Sequence, residues 1–457
     1  MSHKITVIGG GSTVFSPQLI RLLVASSPLQ GSTVVLMDID APRVELMRAV
    51  AQLSVAQAGV DLTFESTTDR REALVGADFV IVVAPVGGYT MRELDLEIPA
   101  RYGIFTMGGE TVGPAAMMRA FRHIPVLVDI CHELEDLSPD AWLFSYTNPT
   151  APVLMAMERE SPIKKACLCT CSAVARDPHY LAHKIGVAPG DLAMPPLVGG
   201  LNHCAAFLKL HLKDGRDALP IALQHLDHPL EREMLERHNI LPYCTGHWVE
   251  FFTRYMRLAE PYEGHVQGLK MMHGHSVRDM GDDRERAQVW EEDVQRLLAG
   301  ATGGDGEQDV QRALAGSEKQ AELLKKVLVF GEGVEVVDVI EALVENRNEI
   351  HAVIVPNHGA IPNLPFDVGV EISALVGGNG IHPIRVGPLP EPVAANLRRH
   401  VDYYELIVEA GLSGDHKLAL DALLLDPLTS ATLTLPETER LLDEMMEAEA
   451  AFLPQFA

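Results

Sequence analysis

The stretch Ile5–Pro17, ITVIGGGSTVFSP, constrains the fold more than any other part of the chain. Apolar β-formers run into three consecutive glycines, then into Ser12, Thr13 and residues that can open a helix. A strand-to-helix turn takes glycine where φ is positive, and also where a bulky phosphate must approach the backbone. Gly9 and Gly11 supply the G-x-G half of a dinucleotide fingerprint, while Val14 stands where its third glycine would be. Taken alone, the fragment fits a nucleotide cradle and a plain βα turn equally well.

The next segments favour the cradle. After one helix length comes STVVLMDID, a β-branched run that reaches Asp38. A carboxylate at the tip of the second strand is where a Rossmann unit holds ribose hydroxyls, and its charge repels a 2′-phosphate, favouring NAD over NADP. The interval from the glycines exceeds the usual ~20 residues. ADFVIVVAPVGG then reads as a third strand breaking at Pro85, and AWLFSYTNP as another ending at Asn148. Unbroken apolar runs mark strands covered on both faces, as in parallel sheets. Their alternation with helical segments predicts an α/β fold. A Rossmann-like doubly wound parallel sheet is expected in residues 1–200, and an α+β substrate and oligomerisation domain in residues 201–457. Gly9, Gly11, Ser12, Thr13, Asp38 and Pro85 are the candidates for cofactor contact.

With 457 residues the chain can bury two cores or one deep one. Its formal net charge of -26 disfavours nucleic acid and anionic membrane surfaces as partners. No apolar run reaches the ~20 residues of a membrane span, and the first strand begins too early for a signal peptide, so a cytoplasmic protein is expected. In that compartment the six cysteines are read as thiols, and the clustering of four of them from Cys167 to Cys204 points to metal or redox chemistry. Roughly residues 280–319 are charged, punctuated by glycine and part helical, and read as a solvated surface excursion.

CLCTCSAV is followed by GGLNHCAAF, which contains His203. Thiolate and imidazole together suit a divalent transition metal with open positions for substrate. The same residues also fit small buried thiols and a satisfied core histidine. Arg92, Glu110 and Arg119 follow the apolar run that ends at Pro85, where ligands of open α/β sheets bind. Arg92 has a competing helix-face partner in Glu93 or Asp95, and Arg119 sits in the apolar helix AAMMRAF.

The ordered set VIGGGS, the D-x-D at Asp38, the R..D..IP...G at Arg92, GETVGP, TNP, a cysteine motif, NH at Asn202–His203 and an N.G.I.NLP at Asn357 resembles glycoside hydrolase family 4. The likeness runs from the first strand to GDHKLALDALLLDPLTSA and is nearest to the α-galactosidase and α-galacturonidase branch. The resemblance implies NAD and Mn²⁺ as cofactors, a small glycoside as substrate and a homo-oligomer, dimer or tetramer. It implies Cys171 and His203 as metal ligands, with Cys169 the alternative to Cys171. By the same resemblance Asn148 and Asn202 join Arg92, Glu110 and Arg119 as substrate contacts, and MLERHNILPYCTGHWVEFF looks like the segment whose His and Glu, here His247 and Glu250, reach the sugar.

Two departures stand out. The residues after the cysteines, Thr170 and Ser172, are poor acids for a leaving group, and a metal-free relative keeping the oxidative chemistry is the other reading. The implied reaction oxidises carbon 3 of the sugar, which acidifies the proton on carbon 2 and lets the carbon 1 substituent leave by elimination. Water then adds and the ketone is reduced again, so NAD is recycled, outside the usual two-carboxylate scheme. Tyr243 is the candidate base, needing a nearby cation or metal to lower a phenol pKa of ~10; His247 takes the role if Tyr243 only packs. An α-glycoside carrying a carboxylate, sulfonate or phosphate is the expected substrate, because arginine suits such groups. An NAD-dependent dehydrogenase of a hydroxy acid or sugar is the alternative.

Overall fold

The protein was analysed as a computed structural model, which describes residues 2–106, 108–252, 285–297, 318–329 and 334–457. Strands β1 (Lys4–Ile8), β2 (Ser32–Met37), β3 (Leu62–Thr67), β4 (Phe79–Val82), β5 (Trp142–Ser145) and β6 (Lys164–Cys167) pair in parallel in the order 3-2-1-4-5-6. This is the Rossmann order. The run ADFVIVVAPVGG forms the fourth strand rather than the third. The strand it displaces, β3, shows alternating burial at Leu62, Thr63, Phe64 and Glu65, as an edge strand with one wet face does.

The sheet does not stop at β6. It continues through β10 (Glu349–Pro356), β11 (Gly369–Gly377), β7 (Leu192–Leu201), β8 (Cys204–Leu212) and β9 (Leu241–Pro242), all antiparallel, with β12 (Gly380–Pro383) on β11. The chain's second half thus extends the sheet of the first. The helix Glu391–Ser413 crosses back onto the helices Gly113–Leu137 and Thr150–Glu160, burying Tyr403, Tyr404 and Ile407. Arg122 ties three helices together. Its guanidinium grips Asp95 at 2.9 and 2.7 Å and also meets Glu449, all buried. Asp95, a rival partner for Arg92 in the sequence, is therefore taken by Arg122.

Residues 285–297 correct the expectation of a wholly solvated segment. They form a helix whose Trp290, Val294 and Leu297 are buried, and the Trp290 ring N–H donates to the Val327 carbonyl at 3.1 Å. Residues 280–284 and 298–317 of that segment lie outside the described residues. Among the described residues, no helix is long and apolar enough to cross a membrane.

Candidate active site

The carboxyl ends of β1, β2, β4, β5 and β6 open on one edge of the sheet. At the end of β1, Gly9 has φ +87°, and a Cβ there would meet the Ala84 nitrogen at 2.8 Å, so glycine is required. The Gly11 N–H donates to the Asp38 carboxylate at 3.0 Å, and the Asp40 N–H to its other oxygen at 3.1 Å. Asp38 thus clasps the glycine turn from the tip of β2 while remaining half-buried. Ser12 accepts from the Phe15 N–H at 3.2 Å, Thr13 is buried, and Pro85 lies exposed beyond β4. These residues surround the N-terminus of the helix Ser16–Ala25, a setting that suits a pyrophosphate.

The segment GETVGP forms the next wall. A Cβ on Gly109, at φ +59°, would meet the Ala115 Cβ at 2.5 Å. The segment is held from behind by the Tyr403 hydroxyl on the Gly113 carbonyl (2.6 Å) and the Tyr404 hydroxyl on the Thr111 carbonyl (3.2 Å). Glu110 faces Arg92 at 3.4 Å and Arg119 at 3.7 Å, and accepts from the Asn148 amide at 3.3 Å. Burial would raise its carboxyl, but the charges of Arg119 and Arg92 outweigh that and hold it at about 2. Arg119 also donates to the Gly108 carbonyl at 3.2 Å. The Nε of Arg92 and the Oδ1 of Asn148 are buried without a hydrogen-bond partner among the described residues.

His203 sits at a hairpin tip. Leu201 pairs with Cys204 across the turn Asn202–His203, and His203 takes φ 63°. Such two-residue turns need left-handed backbone. Its Nδ1 meets the Thr111 hydroxyl at 2.7 Å, and its ring stacks on His247 with centroids 4.0 Å apart. Burial, then the charge of His247, lowers the ring to about 3, which keeps the imidazole neutral. His247 Nδ1 lies 3.5 Å from a Glu250 carboxylate oxygen, a contact that outweighs burial and raises the ring above its usual range.

The cysteine turn brings Cys169 and Cys171 to the same place. Their sulfurs and a His203 ring nitrogen all lie within 4.8 Å of one another, and so do ligand atoms of Glu110, His203 and His247. Two thiols and an imidazole fit a divalent transition ion. Cys171 Sγ is also 3.0 Å from Cys244 Sγ, and all six cysteines are free thiols.

Tyr243 lies deeper. Its hydroxyl donates to Glu371, and burial, then that carboxylate, holds the phenol well above its usual range. Glu371, which the sequence reading passed over, is a hub on β11. It accepts from Tyr243, from Ser172 Oγ (2.9 Å), from Asn202 Nδ2 (3.2 Å) and from the His203 N–H (3.4 Å). Burial raises its carboxyl against those donors. The only sequence signal for Glu371 is a charge inside the apolar run GVEISALVG. His123 was also missed: its Nε2 accepts from the Val86 N–H at 3.0 Å and its Nδ1 meets the Asn148 carbonyl at 2.7 Å, tying the β4 and β5 loops together.

Comparison with known proteins accounts for both halves of the chain. Residues 4–180 match "Family 4 glycosyl hydrolase", and residues 198–429 match its C-terminal domain. An alpha-glucosidase of Erwinia rhapontici is 27% identical over 99% of each chain. An alpha-galacturonidase of Thermoanaerobacterium saccharolyticum is 29% identical, over 99% of this chain and 97% of its own. A solved 6-phospho-alpha-glucosidase from gut microorganisms, in complex with NAD and Mn²⁺, superposes with TM-score 0.75 at 24% identity, covering 100% of both chains. The chain belongs to the family 4 glycosyl hydrolases, and is a glycosidase.

Proposed function

We propose that the protein is an NAD-dependent glycosidase cleaving an α-glycoside whose sugar carries an anionic group. The observation that carries the reading is the pair of orphaned buried atoms, Arg92 Nε and Asn148 Oδ1, beside the Glu110 carboxylate. Buried polar atoms normally find partners, and these two ask for a ligand with both acceptors and donors. Two guanidiniums share one carboxylate here, which leaves one positive charge for a carboxylate, sulfonate or phosphate. The named relatives act on different sugars, so the anion is left at this class.

The glycine turn, Asp38 and the helix N-terminus fit NAD, and Cys171 with His203 fits a divalent metal. Bound there, NAD supplies reversible hydride transfer with a sugar carbinol, and a metal supplies Lewis acidity. The chain's own residues do the rest. Glu110, Asn148 and Arg92 orient hydroxyls, Arg119 holds Glu110 in place, and Asn202 fixes the His203 turn through Glu371. For the proton at carbon 2 we favour His247 in its neutral form, which stands beside Glu110 and His203 with its Nδ1 3.5 Å from Glu250. Tyr243, the other candidate, spends its hydroxyl proton on Glu371, and burial holds its phenol up.

Turnover of 4-nitrophenyl glycosides in heavy water tests the reading. Deuterium is expected at carbon 2 of the released sugar, without build-up of NADH. His247→Gln should lower the exchange by ~100- to 10,000-fold, while Tyr243→Phe should retain it. A product free of deuterium overturns the oxidative route. Loss of exchange in Tyr243→Phe alone returns the base to Tyr243.

A further inference from the structure

We infer that Cys169 is a second sulfur ligand of the metal position, and that this makes the site select thiophilic ions such as zinc over manganese. The inference rests on the proposed metal reading at Cys171 and His203 and concerns which ion those residues prefer. Two donor sets share His203, and the ion that binds depends on which of them supplies its other ligands. Glu110, His203 and His247 form the harder set, with one carboxylate and two imidazoles. Its carboxylate already faces Arg92 and Arg119 at 3.4 and 3.7 Å. A dication on that side would share its carboxylate with two guanidiniums and meet the one positive charge they leave over, a repulsion that a partly buried site screens poorly.

In the other set both sulfurs feel the Glu371 carboxylate, a charge that a dication complements. Cys169 Sγ and Cys171 Sγ lie within 4.8 Å of each other and of a His203 ring nitrogen. The Cys171 N–H points at Cys169 Sγ at 3.4 Å. The Thr111 hydroxyl fixes the His203 ring through Nδ1, an orienting contact of the kind that supports ligating histidines. Manganese stands lowest in the divalent series and favours oxygen ligands, whereas two thiolates with one imidazole suit zinc. A single cysteine would leave the choice to the remaining ligands; the second one decides it.

The test uses the full chain under reductant, which keeps Cys171 and Cys244 as thiols. Cobalt(II) titration should give near-ultraviolet sulfur-to-cobalt charge-transfer bands, and Cys169→Ser should remove about half of their intensity, one of two thiolates. In competitive dialysis, Cys169→Ser should weaken zinc by ~10-fold or more and change manganese by less than about twofold. Cys169→Asp, which restores a ligand but a hard one, should shift the zinc-to-manganese preference toward manganese by a similar factor. Should Cys169→Ser fail to fold, the aspartate variant carries the test. Charge-transfer bands unchanged by Cys169→Ser but lost in Cys171→Ser would overturn the second ligand and leave the metal reading standing. Absence of bound cobalt, zinc and manganese in the wild-type protein would overturn both.

Discussion

Removing Glu371 tests whether the hub on β11 holds the site together. Each carboxylate oxygen has two donors: hydroxyls of Tyr243 and Ser172 on one, N–H groups of Asn202 and His203 on the other. In Glu371→Gln the amide oxygen can face the two N–H groups while its NH₂ faces the hydroxyls, which rotate to accept. All four contacts survive and a buried charge disappears, so the loss should stay below about 2 kcal/mol. Glu371→Ala instead strands two buried N–H donors at roughly 1–3 kcal/mol each, or about 2–6 kcal/mol together. Urea midpoints followed by tryptophan fluorescence should rank wild type and the glutamine variant together and the alanine variant well below. The glutamine variant should also let Tyr243 titrate earlier in ultraviolet absorbance, because a neighbouring carboxylate that holds the phenol up is gone. Equal destabilisation by the two substitutions would refute the accounting, since it would mean the donors do not depend on that acceptor.

Asp38 should make the protein bind NAD at least ~10-fold more tightly than NADP by calorimetry, through repulsion of the added phosphate; equal affinities would remove Asp38 from that role. Glu110 links the site to acid stability. Its folded pKa of about 2 lies below the ordinary 4.5, so its contribution is complete above pH 4.5 and is lost as pH falls toward 2. That span corresponds to about 3 kcal/mol, and Glu110→Gln should flatten this part of a stability-against-pH curve measured by denaturant midpoints.

Much of the parallel half was legible because its causes are local. Continuous apolar runs at β1, β4 and β5 report burial on both faces, and the glycine turn reports a backbone that side chains cannot enter. β3 was passed over because an edge strand carries polar residues on its open side. Resemblance supplied the pairing of Cys171 with His203, which no local pattern dictates, and the structure brings the two residues together with Cys169.

The sequence by itself determined the Rossmann half, the nucleotide turn and the residue types available for chemistry. Only the tertiary structure decided their partners. It joined both halves in one sheet, gave Asp95 to Arg122 and Glu110 to Arg92, and tied Tyr243 to Glu371. A turn or an apolar period is written in neighbouring residues, whereas these contacts join positions as far apart as Cys167 and Ile354. The charge each buried group ends up facing follows from which strands and helices close over it, and that is a property of the packed chain.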